Sequence, residues 1–101
     1  GCNINSKSFI GKSSIINTGS NIDHEANIGD FVHISPGCNL AGRVNIGKST
    51  WVGIGSTIVN NINIGDNVFI SAGSTILKNI DKNKKVYEKK NILIKTFKLN
   101  E

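Results

Sequence analysis

The sequence predicts an all-β chain wound into a triangular prism of stacked parallel strands. Three observations predict it. An aliphatic side chain stands at every sixth residue from Ile4 to Ile76. A mostly small residue follows each of these four positions later, and Gly, Asn and Asp are scattered between. A period of six fits neither a 3.6-residue helix nor a plain alternating strand, but it does fit a short strand plus a corner, repeated.

The aliphatic series reads Ile4, Ile10, Ile16, Ile22, Ile28, Ile34, Leu40, Ile46, Val52, Ile58, Ile64, Ile70 and Ile76. Ile, Leu and Val together are only 27 of 101 residues. Thirteen consecutive hits by independent draws have a chance of roughly one in ten million, so the series is structural. The small series reads Ser8, Ser14, Ser20, Ala26, Val32, Cys38, Val44, Thr50, Ser56, Ile62, Val68, Ser74 and Ile80. Side chains alternate along a strand, so the aliphatic and the small residue two before it point inward while the residue between them points outward. Three units close one coil of 18 residues, and successive coils stack about 4.8 Å apart. A little over four triangular coils then cover residues 4–81. The hexad fails at Lys82, so the chain divides into a prism over 1–81 and a tail over 82–101. Residues 92–99 are expected to cover the open upper end of the prism.

Composition limits what the chain does. Residues 1–81 hold five cations against five carboxylates, and residues 82–101 hold seven lysines against Glu88 and Glu101. The tail lacks the Arg and aromatic interleaving of a nucleic-acid or membrane binder, so neither partner is expected. No stretch reaches the roughly 18 apolar residues of a membrane span, and no signal peptide is expected in the chain as given. Cys2 and Cys38 occupy the inward small position two coils apart, too far for a disulfide. They read as small core residues in a reducing, cytoplasmic setting.

Coils of constant length let neighbours be read from the sequence. One corner column is His24, Gly42, Asn60 and Lys78. One outward column is Ile15, His33, Trp51 and Phe69, too apolar for a solvated side, and it reads as a subunit interface. His24 and His33 share a coil but lie on different parts of the triangle. They converge only across an interface, where one chain's corner meets the next chain's side.

The repeat of aliphatic, Gly and small residue resembles the hexapeptide-repeat left-handed parallel β-helix of acyltransferases. The handedness is implied by the resemblance, since parallel crossovers are otherwise right-handed. Ile22-Asp23-His24-Glu25, then His33-Ile34-Ser35-Pro36-Gly37 and Leu40-Ala41-Gly42, narrow it. This set is similar to the sialic acid O-acetyltransferases and the bacterial UDP-4-amino-sugar N-acetyltransferases. The resemblance covers about residues 4–81.

The resemblance implies acetyl transfer from acetyl-CoA to an amino or hydroxyl group of a sugar, with a nucleotide amino sugar or sialic-acid-like sugar as acceptor. It implies a homotrimer, which a thin core also favours. His24 is then the general base, a role that neutral imidazole suits near pH 7. Glu25 is expected to orient it, and the Gly42 N–H to stabilise the oxyanion. His33 is expected to contact the acceptor or the acetyl carbonyl. Ala41, Gly53, Ile54, Ala72, Gly73 and Lys78 are the candidate cofactor contacts, small residues admitting the pantetheine arm and Lys78 meeting a phosphate.

The sequence departs from that family in two places. The family's N-terminal nucleotide-sugar-binding domain is expected to be absent, because the chain starts almost where the β-helix starts. Val86-Tyr87-Glu88-Lys89-Lys90 stands where the family has a Gly- and Pro-containing loop that helps hold CoA. Both departures favour an alternative, a non-catalytic trimeric scaffold or a truncated remnant of such an enzyme. A metal-dependent carbonic anhydrase on the same fold lacks its third His and its His spacing. An ice-binding surface lacks outward Thr ladders.

Overall fold

The computed structural model describes residues 1–87. Among the described residues fourteen two-residue strands follow one another: β1 (Asn3–Ile4), β2 (Phe9–Ile10), β3 (Ile15–Ile16), β4 (Asn21–Ile22), β5 (Asn27–Ile28), β6 (His33–Ile34), β7 (Asn39–Leu40), β8 (Asn45–Ile46), β9 (Trp51–Val52), β10 (Thr57–Ile58), β11 (Asn63–Ile64), β12 (Phe69–Ile70), β13 (Thr75–Ile76) and β14 (Lys85–Val86). Every third strand pairs, always in parallel, giving three sheets of five, four and five strands. These are the sides of the prism. Side one is β1-β4-β7-β10-β13, side two β2-β5-β8-β11 and side three β3-β6-β9-β12-β14. Throughout the body each strand residue pairs with its counterpart three hexads on, as in Asn21↔Asn39, His33↔Trp51 and Thr57↔Thr75. The described residues form an all-β parallel solenoid of hexapeptide repeats.

Both predicted series point inward. The aliphatics from Ile22 to Ile76 are buried, together with Ala26, Val32, Cys38, Val44, Ile62 and Val68. Inward hydroxyls bond to the coil above: Ser20 Oγ donates to Ser35 O at 2.9 Å and Thr50 Oγ1 to Gly65 O at 2.9 Å. Among the described residues, no buried side-chain nitrogen or oxygen lacks a partner. That meets the requirement that a dry core satisfy its polar atoms. The first coil is less protected, with Ile4 at 47% exposure. Its Cys2 is exposed while Cys38 is buried, and both are free thiols.

Each corner carries one residue per coil with positive φ. One corner uses Gly19, Gly37, Gly55 and Gly73. The other two use Lys7, Glu25, Arg43 and Asn61, and Ser13, Phe31, Ser49, Asn67 and Asn83. Left-handed backbone favours Gly and Asn, so Glu25, Phe31 and Arg43 are held there against their preference.

The upper end differs from the sequence reading. The ladder continues past Asp81, because β14 stacks on β12 with Ile70 opposite Val86. The register there falls short of a full coil, and Ile80 takes the place opposite Ile64 that step-six counting gives to Lys82. The corner after Ile76 has lost two residues. Asn79 repairs the missing backbone acceptor, its Oδ1 receiving the Asn63 N–H at 2.8 Å. With this coil the prism has about five turns rather than a little over four. Residues 92–99, expected to cap the end, lie outside the described residues. No helix among the described residues is long and apolar enough to cross a membrane.

Candidate active site

His24 sits where side one turns into side two, two residues after the inward Ile22. Gly42 occupies the same point one coil on, after Leu40, which pairs with Ile22. The imidazole lies across this glycine. A Cβ built on Gly42 would stand 2.6 Å from His24 Cε1 and 3.0 Å from Nε2. No side chain fits there unless the ring moves. The backbones are tied as well, with the Arg43 N–H donating to His24 O at 3.0 Å. Gly42 itself is buried, yet its N–H has no acceptor among the described residues.

The ring is oriented by Asp23. Its Oδ1 accepts the His24 backbone N–H at 2.7 Å and lies 3.0 Å from Nδ1. A carboxylate is only an acceptor, so Nδ1 carries a proton, and in the neutral ring Nε2 keeps its lone pair. The hydrogen bond from the His24 side chain, with that from its backbone, holds the Asp23 carboxyl below its ordinary range. The sequence reading expected Glu25 in this place. Glu25 has φ 57°, which carries it round the corner, and its Oε1 lies 3.8 Å from Arg43 Nη2. The sequence did hold a signal for Asp23, since a short Asx side chain bonds the next backbone N–H readily.

The column beside His24 climbs through Asp23, Ala41, Val59 and Leu77, each one coil above the last. Polarity ends at Asp23 and apolar size grows upward. Asp23, Ala41, Val59 and Asn60 line an open trough of about 610 Å³ along side one. The outward Asn3, Asn21 and Asn39 form its other wall as a ladder, bonded amide to amide at 3.0 and 2.9 Å. Lys78 tops the His24 column at the shortened corner and is exposed.

The remaining candidates gather elsewhere. His33 stacks on Trp51 on side three, with ring centroids 3.9 Å apart and planes 11° from parallel. These two rings, with Gly53, Ile54, Phe69 and Ala72, line a groove of about 360 Å³. Gly73 follows Ala72 with φ 70° at the corner between sides three and one. The sequence reading set Gly53, Ile54, Ala72 and Gly73 along a cofactor groove that runs up the coils between two prisms. Within one chain the positions over His24 belong to Gly42, Asn60 and Lys78. Ala41, Gly42 and Lys78 share a corner with His24, while His33 lies on side three and the other four at the corner between sides three and one.

Residues 43–78 match the family model described as bacterial transferase hexapeptide, six repeats. The chain carries a bacterial-transferase hexapeptide repeat. Comparison with curated proteins finds no match. Solved structures do match this hexapeptide-repeat β-helix. One is a variant of perosamine N-acetyltransferase from Caulobacter crescentus, one histidine replaced by asparagine, in complex with CoA and GDP-perosamine. It is 30% identical with a TM-score of 0.83, over 84% of this chain and 40% of that one. Another is the acetyltransferase domain of PglB from Neisseria gonorrhoeae in complex with acetyl coenzyme A. It is 27% identical, TM-score 0.77, over 84% of this chain and 50% of that one. A maltose O-acetyltransferase from Clostridium difficile is 25% identical, TM-score 0.79, over 84% of this chain and 57% of that one. All three are acetyltransferases, and the chain spans between 40% and 57% of their lengths.

Proposed function

We propose that the chain is an acetyl-CoA-dependent acetyltransferase acting on an amino or hydroxyl group of a sugar, with His24 as general base. One observation carries this reading: the His24 ring lies over Gly42 with Nδ1 on a carboxylate and Nε2 left to accept a proton. Nε2 takes the proton from the acceptor nitrogen or oxygen as it attacks the thioester carbonyl. The unpaired Gly42 N–H receives the charge that develops on the carbonyl oxygen. Asp23 fixes the tautomer and balances the imidazolium as it forms. Glu25 acts at the same corner through Arg43.

The donor arm lies along Ala41 and Val59, whose apolar surface climbs away from His24. Lys78 at the top of the column meets donor phosphate. The sugar acceptors and bound CoA of the matched structures support both substrate classes.

The working unit is a homotrimer. Side three exposes Ile15, Trp51 and Phe69 in one column, at 50%, 45% and 37%. Packing that side against a neighbour's His24 corner buries it and brings His33, Gly53, Ile54, Ala72 and Gly73 to the site in trans. His33 then contacts the acceptor or the acetyl carbonyl. The two free thiols suit a reducing, cytoplasmic setting.

Calorimetry with acetyl-CoA, run beside a solution mass, tests the reading. Micromolar binding to a trimer supports it. A folded trimer that binds no acetyl-CoA contradicts it and favours a non-catalytic scaffold.

A further inference from the structure

The corner after Ile76 shifts the count of the coils without ending it. Below that corner, partners lie eighteen residues apart, as in Thr57↔Thr75 and Ile58↔Ile76. Above it they lie sixteen apart on both sides that follow: Ile64↔Ile80 on side two, then Phe69↔Lys85 and Ile70↔Val86 on side three. Outward side chains keep the same step, with Asn67 Nδ2 donating to Asn83 Oδ1 at 3.0 Å. The loss is taken once, so inward positions again recur every six residues, at Ile80, Val86 and then Ile92. Side one comes next in the winding. Its last described strand is β13, while side three already carries β14. Sixteen residues beyond Thr75 and Ile76 stand Asn91 and Ile92. Asn followed by Ile is the commonest strand of this chain, forming β1, β4, β5, β8 and β11. Asn also holds the outward place of side one in β1, β4 and β7. Ile76 is 4% exposed although the described strand above it stands on another side, whereas Ile4 at the opposite end of side one is 47% exposed.

We propose that the upper edge of side one is a docking edge for the chain's own tail: residues 91–92, outside the described residues, add one more parallel strand there, with Asn91 beside Thr75 and Ile92 over Ile76. Parallel pairing asks only that the two strands run the same way and keep their inward residues in phase, since a slip of one residue would turn every side chain to the wrong face. A step of sixteen keeps that phase. The strand completes the fifth turn and closes the sheet edge that an end of a solenoid otherwise leaves open. By the same step Leu93 takes the register position over Leu77, so the column of Ala41, Val59 and Leu77 beside His24 gains one more apolar level. The next hexad position holds Lys98, and the inward series ends at Ile92. None of this depends on the acetyl-transfer reading.

Disulfide trapping on the full chain tests the register, in a Cys2→Ser background that removes the exposed native thiol. Thr75→Cys with Asn91→Cys sets two thiols level on adjacent strands, within the Cα separation of about 4.4–6.8 Å that a disulfide spans. Thr75→Cys with Leu93→Cys is the pair that an unbroken step of eighteen would bring together. Under the step of sixteen it lies about 8 Å apart, one strand spacing across and two residues along. Thr75 is exposed, so its replacement leaves the core alone. Under mild oxidation the 75–91 pair should close at least about ten-fold faster than the 75–93 pair in the native chain. In denaturant the two should close at similar rates. Hydrogen exchange on the unmodified chain gives a second reading, in which the Ile92 amide should exchange as slowly as that of Val86. Equal closure of both pairs in the native chain overturns the proposal. So does an Ile92 amide that exchanges at the rate of the denatured chain, whatever the thiols do.

Discussion

Gly42 lies against the imidazole of His24, one coil away, so closely that a methyl group on Gly42 would stand 2.6 Å from Cε1. The contact couples fold to chemistry. The constant coil length sets the two residues in register, and the missing side chain leaves room for the ring.

Gly42→Ala should fold normally and lose activity. Its φ is not in the left-handed region, and the atoms in the way belong to a half-exposed side chain that can swing aside. Displacing the ring and crowding the N–H should lower kcat by about 10²-fold or more, the scale of losing an oxyanion donor. Gly47→Ala is the control for a clash in the wall. Its Cβ would meet Gly65 C and Asp66 N at 2.6 Å, atoms that cannot swing away. It should cost about 1–3 kcal/mol in denaturant unfolding.

Asp23→Asn should lower kcat more than Glu25→Gln does. Asn keeps the shape but presents an amide that can turn its N–H₂ toward Nδ1, so the tautomer is no longer fixed. Loss of tautomer control in related triads is severe, and here about ten-fold or more is expected in steady-state rates. The Asp23 carboxyl also has a sign in pH. Its folded value is depressed below 3.8. Its contribution to stability is complete above that value and fades as pH falls through the lower folded one. Acid unfolding curves of wild type and Asp23→Asn should converge only at the acid end.

How much of this the sequence shows depends on which residues are asked. The Gly42–His24 contact follows from counting, because every coil up to Ile76 keeps the same three-hexad length. The aromatic column of His33, Trp51 and Phe69 follows likewise. Counting fails in the coil after Ile76, where two residues are missing and Lys82 fills the expected aliphatic slot. The Ile64–Ile80 bridge and the hydrogen bond from the Asn63 N–H to Asn79 Oδ1 show how the ladder recovers. Counting also says nothing of where a corner side chain swings. Asp23 and Glu25 flank His24 alike in sequence, and the positive φ of Glu25 decides between them.

Trp51→Ala should dissociate the assembly. Trp51 is 45% exposed in the single chain and stacks on His33, and burying such a ring is worth about 2 kcal/mol or more at an interface centre. Sedimentation should show a trimer for wild type and a monomer for the variant at the same concentration. A trimer in both would remove side three from the interface.

Thiol labelling should separate the two cysteines. Burial raises the Cys38 thiol above 9.0, and its Sγ donates to Gly53 O at 3.1 Å. Cys2 is exposed. Iodoacetamide at mildly alkaline pH should modify one site per native chain, at Cys2, and a second only in denaturant.

The central claim is that His24 is the base of an acetyl-transfer site. The most direct test measures acetyl transfer to an amino-sugar nucleotide by wild type and His24→Ala, with acetyl-CoA affinity and melting temperature measured on the same samples. The side chain is about half exposed and adds little to the core. The account predicts a kcat lower by about 10²–10⁴-fold, with affinity and melting temperature nearly unchanged. A His24→Ala chain that transfers acetyl groups at the wild-type rate would contradict it.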